Sequence, residues 1–177
     1  MLESVRRSLG AGMARWHFRR THDTIISFTD LISTGTHALL ILPLTPTAES
    51  PAPVIELVRS HFADDRVTIV AGEHDAGAAA LLPRSTVVRM SPATTGWLFL
   101  PSREITQLLA ERTYDVAIDL NLDSLLPSAY ICRESNARVR IGFARKGAGL
   151  FYNFQMQPDA AHSGALYDRF AACLKMF

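Results

Sequence analysis

The chain has 177 residues, 48% hydrophobic and 20% charged, so it is long enough for one globular domain and too apolar to remain disordered. Its net charge of +1 argues against a nucleic-acid partner, and its two cysteines, Cys132 and Cys173, exclude a disulfide framework and suit a reducing compartment. No apolar run approaches the ~20 residues that span a bilayer, and residues 1–20 lack the apolar stretch of a secretory signal. We therefore expect a cytoplasmic protein.

Residues 1–36 form a basic helical extension. The spacing of apolar side chains predicts an amphipathic helix over residues 2–20, and Asp23 begins a second helix that ends at Leu31. Five arginines in the first helix are opposed by Glu3 alone. This helix is able to lie on anionic lipid, to dock on a partner protein or to pack on its own domain. The residues proposed for docking are Arg6, Arg7, Arg15, Trp16, Phe18, Arg19 and Arg20.

Residues 37–177 alternate between short apolar runs and helical patterns. A continuous run such as Ala38–Leu42 is typical of a strand buried on both faces of a parallel sheet. Strands alternating with helices are joined by right-handed crossovers, so this pattern predicts one α/β domain with a Rossmann-like parallel sheet of five or six strands flanked by helices. Strands are predicted at 38–42, 66–70, 86–90, 116–120, 138–143 and 151–156, and helices at 54–62, 74–82, 102–112, 125–135 and 163–176.

Apolar side chains in two neighbouring segments are expected to be buried. They are Trp97, Leu98 and Phe99 in the loop 91–101, and Ile105, Leu108 and Leu109 in the helix that follows.

The fourth predicted strand begins a series of motifs that resembles a known family. The segment Tyr114–Asn121 (YDVAIDLN) is followed by Ser128–Tyr130 and then by Ala137–Phe143 (ARVRIGF). This series resembles the N-terminal, acceptor-side half of heptosyltransferase-family glycosyltransferases of the GT-B fold. Short uncharacterised bacterial proteins with a similar motif and a basic N-terminal stretch also resemble it. A weaker similarity covers 39–70, and the whole resemblance spans residues 38–177.

The resemblance also implies two functional parts that this chain lacks. The family holds its donor sugar nucleotide mainly in a second domain, and no second domain is recognisable here. The family has a Gly-Asp after its first strand, whose carboxylate is the expected catalytic base, whereas residues 43–50 contain no Gly-Asp and Glu49 is their single carboxylate. A general base must lie within hydrogen-bond reach of the acceptor. We therefore expect a non-catalytic glycosyltransferase-like binding or scaffold protein, a subunit or accessory factor of a larger complex.

Polar residues follow the fourth strand. Asp119 and Asn121 lie at the carboxyl end of a predicted parallel strand, which is where open α/β sheets bind ligands. They are candidates to bind a hydroxylated ligand, or alternatively to cap a helix and hydrogen-bond the loop. With Asp123 they begin like a calcium loop, but the glycine and glutamate that such a loop requires are missing. The histidines show no metal-ligand spacing, so neither a metal nor another cofactor is predicted.

Basic residues surround the fifth strand. Arg145 and Lys146 precede Gly147, and a glycine-bearing basic loop at this place is suited to hold a phosphate or a carboxylate. Solvated charges flanking an edge strand are the alternative, because Arg138 and Arg140 alternate with apolar residues.

Two other functions stay open. In one, the chain is the acceptor-side half of a glycosyltransferase that works with a separate donor-binding subunit, and Glu49 and Asp119 then line one cleft. In the other, residues 1–20 anchor a membrane-peripheral protein. The expected partner is another protein or a second copy of this chain, or else an anionic membrane surface, and no nucleic acid is expected.

Overall fold

Six parallel strands form one sheet in the order β3-β2-β1-β4-β5-β6. This computed structural model describes residues 2–19, 35–45, 47, 49–73, 77–80, 82–123, 125–158 and 166–176. The prediction of a Rossmann-like α/β fold is confirmed, and the second helix predicted at 23–31 lies outside the described residues. The strands are β1 Ala38–Ile41, β2 Val67–Gly72, β3 Thr86–Met90, β4 Val116–Asp119, β5 Val139–Phe143 and β6 Phe154–Met156, and the α-helices are α1 Leu2–Phe18, α2 Ala52–His61, α3 Gly77–Ala80, α4 Arg103–Ala110, α5 Leu126–Glu134 and α6 Leu166–Leu174.

The central strands are buried on both faces of the sheet. Leu40 and Ile69 contribute to one apolar cluster, which α2 and α6 cover, while the alternate residues Leu39 and Val70 contribute to a second cluster with α4 and α5. Side chains alternate between the two faces of a strand, so burial of both faces requires an uninterrupted apolar run. This is why β1 consists of four apolar residues.

The order of the strands reverses between β1 and β4. The chain moves from β1 through β2 to β3 on one side, and then returns to place β4, β5 and β6 on the other. A crevice opens at the carboxyl ends of the strands at such a point, and ligands of open α/β sheets bind there. The side chain of Asn121 closes the floor of this crevice. The amide nitrogen of Asn121 donates to the carbonyl of Leu42 (3.1 Å), and its amide oxygen accepts from the N–H of Leu44 (2.8 Å).

Helix α1 packs on the body of the domain beside this crevice. Gly10 lies against the backbone of Leu98, and Phe18 is buried with its ring 5.0 Å from that of Tyr130 and 6.2 Å from that of Phe151. Glycine has a low helix propensity, yet the helix runs through both Gly10 and Gly12. Of the three alternatives for the extension, packing on its own domain is therefore realised for one face of α1.

Two side-chain predictions are wrong. Trp97 is 61% exposed, because its ring stacks on the guanidinium of Arg6 while Leu98 and Phe99 turn partly inward. Leu108 is 43% exposed, since Ile105 and Leu109, four residues apart, form the buried stripe of α4.

The edge-strand alternative for β5 is also wrong, because β6 pairs with β5 and takes the edge. Arg140 is accordingly buried, and its guanidinium donates to the carbonyls of Ala137 (2.8 Å) and Phe151 (3.0 Å). Its neighbour Arg138 remains exposed.

Candidate functional site

Asp119 ends β4 as a fully buried carboxylate with several donors around it. The hydroxyl of Tyr152 donates to its Oδ2 (2.6 Å), and both the backbone N–H (3.0 Å) and the side-chain amide (2.7 Å) of Asn121 donate to its Oδ1. Burial raises the pKa of Asp119, although these hydrogen bonds oppose that rise. Asp119 and Asn121 thus hold the loop after β4 in place, which matches the hydrogen-bonding alternative predicted for them.

The raised pKa of Asp119 predicts how this group affects stability. Its folded-state pKa lies above the ordinary value of 3.8, so its contribution to the free energy of unfolding is full below about pH 4 and is lost as the pH rises through the folded-state value. We expect the free energy of unfolding of wild type, measured against that of Asp119→Asn by urea denaturation, to fall as the pH rises above about 4.

Asp115, just before β4, is a control whose contribution to the free energy of unfolding should change with pH in the opposite direction. Its Oδ2 accepts hydrogen bonds from the N–H groups of Thr36 (2.7 Å) and His37 (3.2 Å) and from the Thr36 hydroxyl (3.0 Å). Partial burial raises its pKa, but these bonds outweigh that effect and leave the pKa lowered. Its contribution is therefore lost as the pH falls below about 4. The same pH trend in Asp119→Asn and Asp115→Asn would contradict one of the two assignments, and the direction of the trend would show which.

A basic cavity of about 280 Å³ lies between α1 and the segment that follows β5. It opens at the carboxyl end of the sheet, with Asn121 on its floor. Four cations line it, two from each side of the cavity, and Asp123 is the one carboxylate among its lining residues. The cations are Arg7 and Arg15 from α1 and Arg145 and Lys146 from the loop after β5.

The loop after β5 is shaped for close approach to α1. Gly147 has a φ of 84°, a left-handed conformation that glycine adopts without strain, and the turn closes with the N–H of Ala148 donating to the carbonyl of Arg145 (3.0 Å). A Cβ placed on Gly147 would lie 3.8 Å from a guanidinium nitrogen of Arg15. The candidate residues Arg15 and Arg145, predicted for two different roles, therefore belong to one site.

The polar face of α1 completes the basic cavity. Ser4 and Ser8 lie one turn apart, and Ala11 and Arg15 continue the same face. Sequence reasoning missed both serines and Tyr152. The only local signal for the serines was their spacing of four residues within a helix that also carries arginines.

A second cavity, of about 530 Å³, lies beyond α1 over the carboxyl ends of β1, β2 and β3. Arg6, Leu44 and Glu73 are among its lining residues. Neither Glu49 nor Asp119 lines either cavity, so the two carboxylates do not share one of these clefts. Glu49 instead accepts a hydrogen bond from the backbone N–H of Leu166 (3.0 Å) at the start of α6.

Some of the residues predicted for docking contact the body of the domain, and others are exposed. Arg6 faces the body, where it donates to the carbonyl of Trp97 (2.8 Å), and Phe18 is buried. Trp16 is 66% exposed and stacks on the guanidinium of Arg19, 5.1 Å from its ring centre. Arg7 pairs with Glu3 at the surface (3.2 Å). Arg20 lies outside the described residues.

The fold and site define a class of protein: a Rossmann-like α/β domain with a basic cavity at the carboxyl edge of its sheet. No protein-family model matches the chain, and no curated protein matches it. The similarity to the heptosyltransferase half therefore stays a prediction. Within the described ranges, no three or more histidine, cysteine or acidic side chains are grouped to hold a metal ion, and no helix there is long and apolar enough to cross a membrane.

Proposed function

We propose that this protein is a non-catalytic binding domain that holds a small phosphorylated, hydroxyl-bearing ligand, such as a sugar phosphate, in the basic cavity. One observation carries the proposal: Arg7, Arg15, Arg145 and Lys146 converge on one cavity at the carboxyl edge of a parallel sheet. Guanidinium groups form short, bidentate hydrogen bonds with phosphate. Four cations line one concave space that has Asp123 as its one carboxylate, so the positive charge of the lining exceeds the negative charge and attracts an anionic ligand.

The size and lining of the cavity favour a small ligand. Its volume of about 280 Å³ is near the lower end of the range for ligand sites. Ser4, Ser8 and Asn121 offer hydroxyl and amide groups beside the cations, which suits a ligand that carries hydroxyls as well as phosphate. The resemblance to an acceptor-side glycosyltransferase half supports the same ligand class.

The lining supports binding rather than catalysis. General acid–base catalysis requires a titratable group within reach of the reacting atom. Asp123 is the one carboxylate of the lining and is exposed, the Tyr152 hydroxyl is held by Asp119, and Lys146 is one of the cations assigned to the ligand. Glu49 and Asp119 are engaged with backbone and side-chain donors elsewhere. On this proposal the protein works in the cytoplasm as an accessory factor, and the free thiols of Cys132 and Cys173 are consistent with that compartment.

We expect the double variant Arg15→Ala/Arg145→Ala to weaken the binding of a hexose phosphate by about 100-fold, because each of its two substitutions removes a guanidinium that would hydrogen-bond the phosphate. Isothermal titration with a hexose 1-phosphate, the unphosphorylated hexose and inorganic phosphate measures the effect. Arg59→Ala is the matched control, since this exposed arginine lies on α2 and does not line the cavity. Equal affinity of the double variant and wild type, or no binding of either phosphate by wild type, would overturn the proposal.

A further inference from the structure

Helix α1 has three faces with different surroundings. Arg6, Gly10, Ala14 and Phe18 recur every fourth residue and pack on the body, while Ser4, Ser8 and Arg15 turn to the basic cavity. The third face points to solvent although it is entirely apolar. Its members, each more than half exposed, are Leu2, Val5, Leu9, Met13 and Trp16, and together they are called the outer stripe.

The outer stripe is bordered by a second exposed tryptophan. The chain has two tryptophans, and Trp16 and Trp97 are 66% and 61% exposed. Trp97 reaches α1 through Arg6, whose guanidinium lies 5.1 Å from its ring centre. Tryptophan is normally well buried in a folded domain, and it is enriched where an apolar body meets a polar boundary, as at a membrane surface.

The helix that carries this apolar surface is also rich in arginine. The helix and the residue that follows it carry Arg6, Arg7, Arg15 and Arg19, opposed by Glu3 alone. Arg7, Arg15 and Arg19 are exposed. Two copies of α1 paired through their outer stripes would bring like charges together, whereas an anionic surface would neutralise them.

We infer that the outer stripe of α1 docks in the interface of a membrane that contains anionic phospholipid. A helix with an apolar stripe, tryptophan and flanking arginines lies in the plane of the interface, with its apolar side chains in the acyl boundary and its cations among the headgroups. The body and the basic cavity lie on other faces of α1, so this docking leaves them clear of the bilayer. The inference shares Arg7 and Arg15 with the basic cavity, but it does not depend on which ligand that cavity holds.

Vesicle sedimentation of the full chain tests the inference. Wild type is expected to bind vesicles of equimolar phosphatidylglycerol and phosphatidylcholine at least about tenfold more tightly than vesicles of phosphatidylcholine alone. Leu9→Gln/Trp16→Gln is expected to lose binding by about tenfold or more, because it removes apolar surface from the stripe. Leu108→Gln on α4 is the matched control, since Leu108 is also exposed and apolar but lies off the stripe, and it should bind as wild type does.

Fluorescence gives a second readout that does not depend on the double variant. In Trp97→Phe the single remaining tryptophan is Trp16, and its emission should shift to the blue only when anionic vesicles are added. Absence of vesicle binding, equal binding by the stripe variant and wild type, or a homodimer that the stripe variant dissociates would each overturn the inference. Titration with hexose phosphate should be unchanged in the stripe variant, so failure here is distinguishable from failure of the cavity proposal.

Discussion

Replacing Gly142 with alanine is expected to lower the free energy of unfolding by about 3 kcal/mol, as overpacking and the loss of a hydrogen bond to a buried charge act together. A Cβ at this position of β5 would lie 2.7 Å from two ring carbons of Tyr152, closer than carbon atoms approach in folded proteins. The ring has little freedom to retreat, because its hydroxyl donates to the buried carboxylate of Asp119 (2.6 Å). Urea denaturation of wild type and variant measures the loss.

A double-mutant cycle separates the two parts of this effect. In Tyr152→Phe the ring is no longer tied to Asp119, so Gly142→Ala should then destabilise by clearly less than it does in wild type. Tyr152→Phe alone should lower the free energy of unfolding by about 2 kcal/mol, because it removes one of the donors to a buried carboxylate. Additive effects in the cycle would show that Gly142 is not required by the anchored ring.

The sheet was predictable because its strands are buried on both faces. Ala38–Leu42 and Val116–Leu120 are apolar apart from Asp119, and such runs leave little choice besides a central parallel strand. The ends of the elements were less predictable. Prediction placed α4 over 102–112, but the helix spans Arg103–Ala110. It begins one residue later than predicted because Ser102 caps its first turn from outside.

The interior role of Arg140 was not predictable from its neighbours. Two arginines alternating with apolar residues are typical of an edge strand with one solvated face. The partners of Arg140 are carbonyls of Ala137 and Phe151, and the second of these comes close only once β6 pairs with β5. A local pattern does not contain that contact.

Of the two sides of the basic cavity, only the side at the edge of the sheet could be predicted from the sequence. The carboxyl ends of parallel strands meet at one edge, so the placement of Asn121 and Arg145 near that edge followed from the predicted topology. Arg7 and Arg15 are far from them in sequence and reach the cavity because α1 packs beside the loop after β5. The close approach of α1 depends on one small residue, Gly10, and a glycine within a helical pattern gives no local sign of what it packs against.

Gly10→Ala is expected to displace α1 and thereby to impair the cavity. Alanine stabilises an exposed helix by about 1 kcal/mol relative to glycine, so propensity alone predicts a gain. Here the added Cβ would overlap the carbonyl oxygen of Leu98 and lie 3.0 Å from a methyl of Leu126, so the helix has to move outward. We expect the free energy of unfolding to fall by about 2 kcal/mol and the affinity for hexose phosphate to fall about tenfold or more, as Arg7 and Arg15 withdraw.

Gly12→Ala is the matched control for this prediction. Gly12 lies on the same helix and is exposed, and a Cβ there would meet open space outside its own helix. Its replacement should therefore raise the free energy of unfolding by about 0.5–1 kcal/mol and leave hexose phosphate binding unchanged. Opposite signs for two identical substitutions, two residues apart, isolate the packing of α1 from its helix propensity. A stabilising Gly10→Ala would mean that α1 is not seated against the loop before α4. A destabilised variant with undiminished binding would mean that Arg7 and Arg15 do not hold the ligand.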